Sequence, residues 1–530
     1  MTDHFPATVP VLVAGGGVTG LSAAVFLARF GVPPLVVERR AVPATDPRAR
    51  ALNPRTVELY RMVGLEEAVL ATRSPVAEHT VVAHAETLVG PELMRLPNRL
   101  GPDTEGLSPC GWAAIDQNQL EPLLRADAVA AGADVRDHTE VVAVVDGPAG
   151  VEVTVRDHDT GTEHRVVAEH LVAADGAHSP VRAMLGIPHD GPGTIARKIN
   201  VYFEADLDEP LAGRKIVALT LRNAAVHGFL TSIDGVRRWR FAISLRPEEG
   251  AAEFTEARCV ELLKAAIGVD VPVVVDRISG SPWEIRGQSA RRMRVGRVLV
   301  AGDAAHTMPP VGTFGVATGV QDAFNLAWKI GLHHGGLAGP GLLDTYETER
   351  LPVAQETTRL TVDRYELVNG KPGNPRESAA RQRMMMFGHT YPEGAFVPEA
   401  AVVPGALEDP DHPSGAPGSR APHVPLERDG TPLSTVDLLD VVPVLFAGPA
   451  GAGWAEAAAE VARASGVPVR CHHVGRDVVD VTGRFTEVYG IAEDGAVLVR
   501  PDGFVAWRTT GAAADRVATL AEVVDRVLFR

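Results

Sequence analysis

The sequence predicts an α/β protein: a parallel sheet at its start, a β-rich and mostly antiparallel region in its middle, and a small α/β unit at its end. Three observations carry this. First, the apolar run Val9 to Ala14 passes through Gly15-x-Gly17-x-x-Gly20 into the Ala/Leu-rich run Leu21 to Phe30; Gly31 then stops the helix and Leu35-Val36-Val37-Glu38 forms the next strand. A βαβ unit of this kind demands parallel pairing under a covering helix. Second, Leu171 to Ala174 and Val295 to Ala301 are strand-like runs ending at Asp175-Gly176 and Gly302-Asp303. Third, Ile199 to Ile278 contains β-rich stretches (Ile216 to Leu221, Trp239 to Leu245) and few glycine fingerprints.

Each remaining element follows in order. Phe5 to Ala28 carries no charge, but Gly15 to Gly17 divide it and no Lys or Arg precedes it, only Asp3 and His4; it reads as strand, turn and helix, not as a signal or membrane segment. Pro392, Pro398, Pro404, Pro410, Pro413, Pro417, Pro422 and Pro425 crowd one stretch, which reads as a linker. Beyond it, Val441 to Phe446, a helix over Trp454 to Ala464, Val467 to His472, and a hairpin of Ala496 to Arg500 and Phe504 to Arg508 around Pro501-Asp502-Gly503 form the terminal unit, closed by a helix near Ala514 to Leu528. No internal repeat is visible.

The 530 residues carry 51 Lys+Arg against 67 Asp+Glu, a net charge of −16, so nucleic acid and anionic membranes are poor partners. With 45% hydrophobic and 22% charged residues the chain is neither disordered, collagenous nor coiled coil, and its length suits about three domains. Cys110, Cys259 and Cys471 lie far apart, which supports neither a disulfide framework nor a cysteine zinc site and fits a reduced, cytoplasmic setting.

Strands that feed Gly/Asp turns place those turns at the carboxyl edge of the sheet, where all three can converge on one ligand. The glycines of Gly15-x-Gly17-x-x-Gly20 permit close backbone approach, the helix N-terminus favours a pyrophosphate, and Glu38, 18 residues past Gly20, suits a ribose. On these grounds FAD, NAD and NADP all remain open. Gly302-Asp303, its continuation to Pro310, and Gly312, Gly315 and Gly319 lead into a helix about Thr318 to Leu332, a second set of free N–H groups that a single NAD would not need.

These motifs, with Asp175-Gly176-x-x-Ser179-x-Val181-Arg182, resemble in order the three signatures of the FAD-dependent aromatic hydroxylases, the class A flavoprotein monooxygenases. The likeness extends over the chain, through Leu343-Asp344-x-Tyr346-x-x-Glu349-Arg350, Arg420-Ala421-Pro422-His423 and Val499 to Gly503, and is nearest in look to the aromatic polyketide hydroxylases of the aklavinone 11-hydroxylase type.

The resemblance implies an FAD-binding Rossmann-like domain (1–185 and 286–395, with some strands of 75–115 given to the other sheet), a mostly antiparallel substrate-binding domain (186–285), the linker (396–425) and a thioredoxin-like domain (426–530) lacking CxxC. It implies non-covalent FAD held by Gly15, Gly17, Gly20, Glu38, Arg39, Arg48, Gln117, Asp175, Gly302 and Asp303, the last on the ribityl chain. Backbone of Gly315, Val316 and Ala317 would face the flavin pyrimidine edge; Ala317 stands where most members carry asparagine. It further implies that NADPH reduces the flavin and that oxygen adds to give a C4a-hydroperoxide, which hydroxylates an anthracycline-like, polycyclic aromatic polyketide. Baeyer–Villiger insertion on the same scaffold and a non-catalytic flavin-binding module are the alternatives, in a monomer or homodimer.

Wall or proton-handling candidates are Trp283, His227, His389 and Tyr391. Met384 to Phe387 reads as apolar filling or as pocket lining for a flat polycycle. His472-His473 point to opposite strand faces and share no ion, no carboxylate/serine pattern makes His306 part of a triad, and lone Cys471 suits packing or oligomerisation.

Overall fold

The first apolar run forms the strand Thr8–Ala14, with residues 11–14 buried because parallel neighbours flank it on both sides: Leu12 lies opposite Leu35 and opposite Leu171. The computed structural model describes residues 5–42, 45–95, 101–399, 407–511 and 513–530; Asp3, His4 and Pro404 lie outside them. Val298–Val300, Glu163–Ala173, Thr8–Ala14, Leu35–Val37 and Asp134–Arg136 run parallel in that order, and the hairpin Thr139–Gly147/Gly150–Asp157 pairs with Glu163–Ala173. Parallel direction brings the carboxyl ends of these strands, and so the turns at Gly15, Glu38, Asp175 and Gly302, to one edge.

A second, nine-stranded sheet is antiparallel except where Ile216–Arg222 pairs with Val81–Ala85. The long strand His189–Glu204 pairs with Arg238–Ser244 and with Trp283–Ala290, and the latter is one strand through position 286, with a register shift between Ile285 and Arg286. Alternation sorts its faces. Ile199, Val201, Phe203, Leu219, Leu230, Phe241 and Ile243 pack into one core with residues of the helix Glu256–Ile267. Lys198, Asn200, Tyr202, Phe229, His227 and Arg240 lie on the opposite face.

The terminal unit orders its strands Arg470–His473, Val444–Ala447, Ala496–Val499, Val505–Thr509, the first pair parallel and the rest antiparallel, with helices Gly453–Ser465 and Arg516–Val527 packed together. This is a thioredoxin-like topology. Cys471 is half-buried and burial pushes its thiol up to about 12, unsuited to exchange chemistry.

The Pro-rich stretch does not run free as a linker. Residues 415–422 are buried, with Gly418 N–H donating to Val505 O at 2.9 Å, Ala421 N–H to Gly503 O at 2.8 Å and Tyr391 N–H to Gly418 O at 2.8 Å. Proline denies the stretch a regular ladder, yet its non-proline groups pair singly with the last hairpin and with Tyr391.

That docking surrounds a buried charge network. Arg500 donates to both oxygens of Glu349 (2.7 and 2.8 Å) and to Asp502 (2.5 Å). Lys329 Nζ and Asn325 Nδ2 each donate to Glu349 at 2.7 Å, and Trp328 Nε1 donates to Asp502 at 3.1 Å. Burial alone would raise the Glu349 carboxyl; Arg500 and Lys329 outweigh it and hold the group below the usual carboxylate range. Arg55 donates to Glu58 at 2.8 Å and to Asp502 O at 2.8 Å, and Arg420 also pairs with Glu58.

Candidate flavin and substrate site

At the sheet edge the first motif closes on itself. Gly15 has φ +109°, and a methyl at Gly20 would collide with the Gly15 carbonyl oxygen, so the helix Val18–Arg29 starts hard against the turn. A methyl on Gly15 would strike Ala174 O, which shows how closely the Asp175 loop packs on the first turn. Glu38 accepts from Gly16 N–H (2.6 Å), Arg40 N–H (3.0 Å) and Arg40 Nε (2.8 Å). Burial works to raise this carboxyl, but the Arg40 and Gly16 bonds leave it below its ordinary value.

Beside it opens a cavity of about 680 Å³ lined by residues including Gly16, Glu38, Arg40, Glu121, Arg125 and Arg136. Arg40 lines it; Arg39 is exposed and outside the lining. Of the two adjacent arginines, it is Arg40 rather than the expected Arg39 that the turn after the strand presents to the cavity. Gln117 opens the helix Gln117–Ala130 and donates to Glu121 Oε1 at 2.8 Å. Glu121 Oε2 is buried without a partner, and burial raises this carboxyl against the pull of Gln117, Arg40 and Arg48. Glu121 closes the stretch Ile115-Asp116-Gln117-x-x-Leu120-Glu121, in which the family likeness gave a cofactor contact to Gln117 alone.

The second and third motifs brace each other. Asp175 accepts from Ser179 Oγ (2.5 Å) and Val181 N–H (3.0 Å), so its side chain shapes its own loop. Arg182 then donates to Ala304 O at 3.0 Å, joining that loop to the Gly302-Asp303 turn. Gly302 has φ +61°, and a methyl on it or on Gly319 would meet Thr19 Oγ1, a crossing only glycine allows. Buried Asp322 accepts from Gly302 N–H (3.1 Å) and Arg350 Nε (2.8 Å) and pairs with His306 Nε2 (2.7 Å). Asp303 is exposed in a concave setting that desolvates it and raises its carboxyl, opposed by His306 and Arg48. Arg48, also exposed, acts on both Asp303 and Glu121 and so stands between the two ends of the cleft.

Thr313, in the left-handed region at φ +61°, turns the chain into the helix Phe314–His334. Gly315 and Val316 are half-buried at the N-terminal turn, where their backbone amides are free of helical partners; Ala317 is buried and its amide donates to Thr313 O at 3.3 Å. Met308 and Phe314 join Met385, Met386, Phe387, Leu360, Leu107 and Trp112 in one apolar cluster beside this turn.

Of the four wall candidates, two share one face of the nine-stranded sheet. Trp283 Nε1 donates to Asn200 Oδ1 at 3.0 Å and its ring meets Phe229 edge-on at 6.5 Å; His227 is half-buried on the same face. The loop 46–50 covers part of that face: Arg240 donates to Pro47 O (3.1 Å), and Tyr202 OH to Asp46 (2.9 Å). Burial, with the charges of Lys198 and Arg222, pushes the His227 imidazole down to about 4.

The other two lie elsewhere. His389 is buried beside Thr357 and burial pushes it down to about 3, while Tyr391 stacks on Phe504 at 4.2 Å in the domain junction. Sequence proximity to the linker placed them near the pocket; folding spent them on packing. Lys198, not marked by the sequence reading, is 4% exposed, donates to Ser244 Oγ at 2.7 Å, lies 5.4 Å from the Phe229 ring centre and is pushed down to about 8 by burial.

An FAD-sized group fits what is present: a glycine turn that a methyl would fill, an orphaned Glu121 oxygen at the cavity of about 680 Å³, exposed Asp303, and the free Gly315 and Val316 amides at the helix start.

Comparison with known proteins agrees. Residues 8–361 match the FAD binding domain family, and residues 414–530 match the aromatic-ring hydroxylase C-terminal family. The chain therefore belongs to the FAD-binding-domain flavoproteins, as an FAD-dependent aromatic monooxygenase. It is 39% identical over the full length of both chains to an aklavinone 12-hydroxylase of Streptomyces purpurascens, and 40% identical to a 4-methyl-5-nitrocatechol 5-monooxygenase of a Burkholderia species, covering 98% of each. Among solved structures, the ternary complex of aklavinone-11 hydroxylase with FAD and aklavinone superposes with a TM-score of 0.91 at 38% identity, covering 100% of both chains. No helix among the described residues is long and apolar enough to cross a membrane.

Proposed function

We propose that this enzyme hydroxylates a polycyclic aromatic polyketide of the anthracycline class, using NADPH and O2, as a cytoplasmic monomer or homodimer. The observation that carries the reading is the face made by Trp283, Phe229, Asn200 and Lys198: aromatic area for a flat ring system with polar groups that address its oxygens. The apolar cluster of Phe314, Met385 and Met386 supplies a further wall beside the helix N-terminus. Full-length likeness to an aklavinone hydroxylase supports the same substrate class.

When bound, the flavin supplies electron transfer from reduced nicotinamide and oxygen transfer to the ring. The chain does the rest. Glu38, Arg40 and Gly16 hold the adenosine end, Arg48 and Asp303 address the middle, and the backbone over Gly315, Val316 and Ala317 faces the pyrimidine edge, with the Gly315 and Val316 amides free to donate. The first sheet holds the cofactor and the second holds the substrate. Lys198, cationic below about pH 8, is suited to stabilise a substrate phenolate.

Substrate-stimulated NADPH oxidation tests this, with product mass: aklavinone should gain one oxygen atom. The 40% likeness to a nitrocatechol monooxygenase favours a second reading, a monocyclic phenol; faster coupled turnover of 4-methyl-5-nitrocatechol than of aklavinone would establish it and overturn the first.

A further inference from the structure

The helix Phe314–His334 presents its first turn to the flavin end, and its 21 residues carry His333 and His334 to a point about 30 Å away at 1.5 Å per residue. There it meets Glu169 and His170 of the strand Glu163–Ala173. His170 is 4% exposed, and neither ring nitrogen has a hydrogen-bond partner. Such a group is expected to find one. The nearest charged oxygen, Glu169 Oε1, is 3.7 Å from Nε2, and the His333 ring centre is 6.1 Å from that of His170.

We propose that Glu169, His170 and His333 form a binding site for a divalent transition-metal ion of the zinc class, outside the flavin and substrate cleft. One ligand atom of each lies within 4.8 Å of the others. Bonds of about 2.0–2.2 Å need ligand atoms roughly 3.3 Å apart. Glu169 and His170 are neighbours on one strand, as His472 and His473 are, but the long Glu169 side chain carries Oε1 to 3.7 Å from His170 Nε2. A bound ion would draw half-buried Glu169 and His333 in by side-chain rotation. Imidazole nitrogen with one carboxylate suits zinc, nickel or copper rather than calcium or magnesium.

The surrounding bonds orient the donors. His333 Nδ1 lies 3.3 Å from Ala338 O, so it carries the proton and leaves the Nε2 lone pair free, the arrangement found behind metal-bound histidines. Glu169 Oε2 is oriented by His334 Nδ1 at 3.1 Å. Arg294 and Arg297 disfavour a cation, and the Glu169 carboxylate is the anion that offsets them.

The test uses the full-length flavoprotein, freed of metal with a chelator and dialysed against Zn2+. Elemental analysis should find one zinc per chain, zinc should raise the melting temperature, and Co2+ should give tetrahedral ligand-field bands. Glu169→Gln and His333→Gln should each weaken binding tenfold or more with the flavin absorption spectrum unchanged. These are the half-buried members, so folding survives. If the Glu169→Gln/His333→Gln double variant takes up zinc as tightly as the parent, or the parent takes up none, the site does not exist.

Discussion

Arg500 of the thioredoxin-like unit grips Glu349 of the FAD domain through two parallel hydrogen bonds of 2.7 and 2.8 Å, with both side chains essentially removed from water. Glu349 precedes Arg350, whose guanidinium holds Asp322, which in turn holds Gly302 N–H. The terminal unit is thereby connected by bonded side chains to a turn of the cofactor site.

Removing one partner leaves the other charge buried and unpaired. Arg500→Ala should therefore lower stability by about 3–5 kcal/mol, read by chemical denaturation, and should release FAD at lower denaturant concentration than the parent requires. An unchanged midpoint would refute the account.

The same pair sets an acid limit. The Glu349 carboxyl is lower in the folded than in the unfolded chain, so its contribution is complete above the unfolded carboxyl value near 4.3 and is lost as pH falls through the folded value. Glu349→Gln should flatten the acid side of a plot of melting temperature against pH.

Adjacent arginines separate the roles at the adenosine end. Arg40→Ala should weaken FAD binding about tenfold, the equivalent of about 1.4 kcal/mol, by loosening Glu38 and the cavity wall. Arg39→Ala should leave it unchanged. Fluorescence titration of the apoprotein with FAD decides between them.

Lys198 gives two readouts. Its ammonium is disfavoured in the fold, with a penalty present below about pH 8 and relieved between there and the unfolded value near 10.4. Lys198→Met should therefore raise stability at neutral pH by on the order of 1 kcal/mol, while kcat/KM for the phenolic substrate falls and the limb of its pH profile near 8 disappears.

Gly20→Ala forces a methyl onto the Gly15 carbonyl oxygen. The purified variant should carry little FAD, seen as a low ratio of flavin to protein absorbance, since the turn must open before the helix can start.

Much of the cofactor site was legible in the chain because its chemistry is local. A strand, a glycine turn and a helix lie within thirty residues, and the turn at Gly302-Asp303 can be read the same way; backbone sterics and periodicity alone demand these shapes. Sequence also supplied the order of motifs that marks the family. Tertiary structure alone decided which of Arg39 and Arg40 lines the cavity, that His389 and Tyr391 serve packing, and that Lys198 lies buried against Phe229. It also brought Glu349 to Arg500 across 151 residues and His170 to His333. The burial and partners of a polar side chain depend on pairings far apart in the chain, and no window of sequence encodes its surroundings.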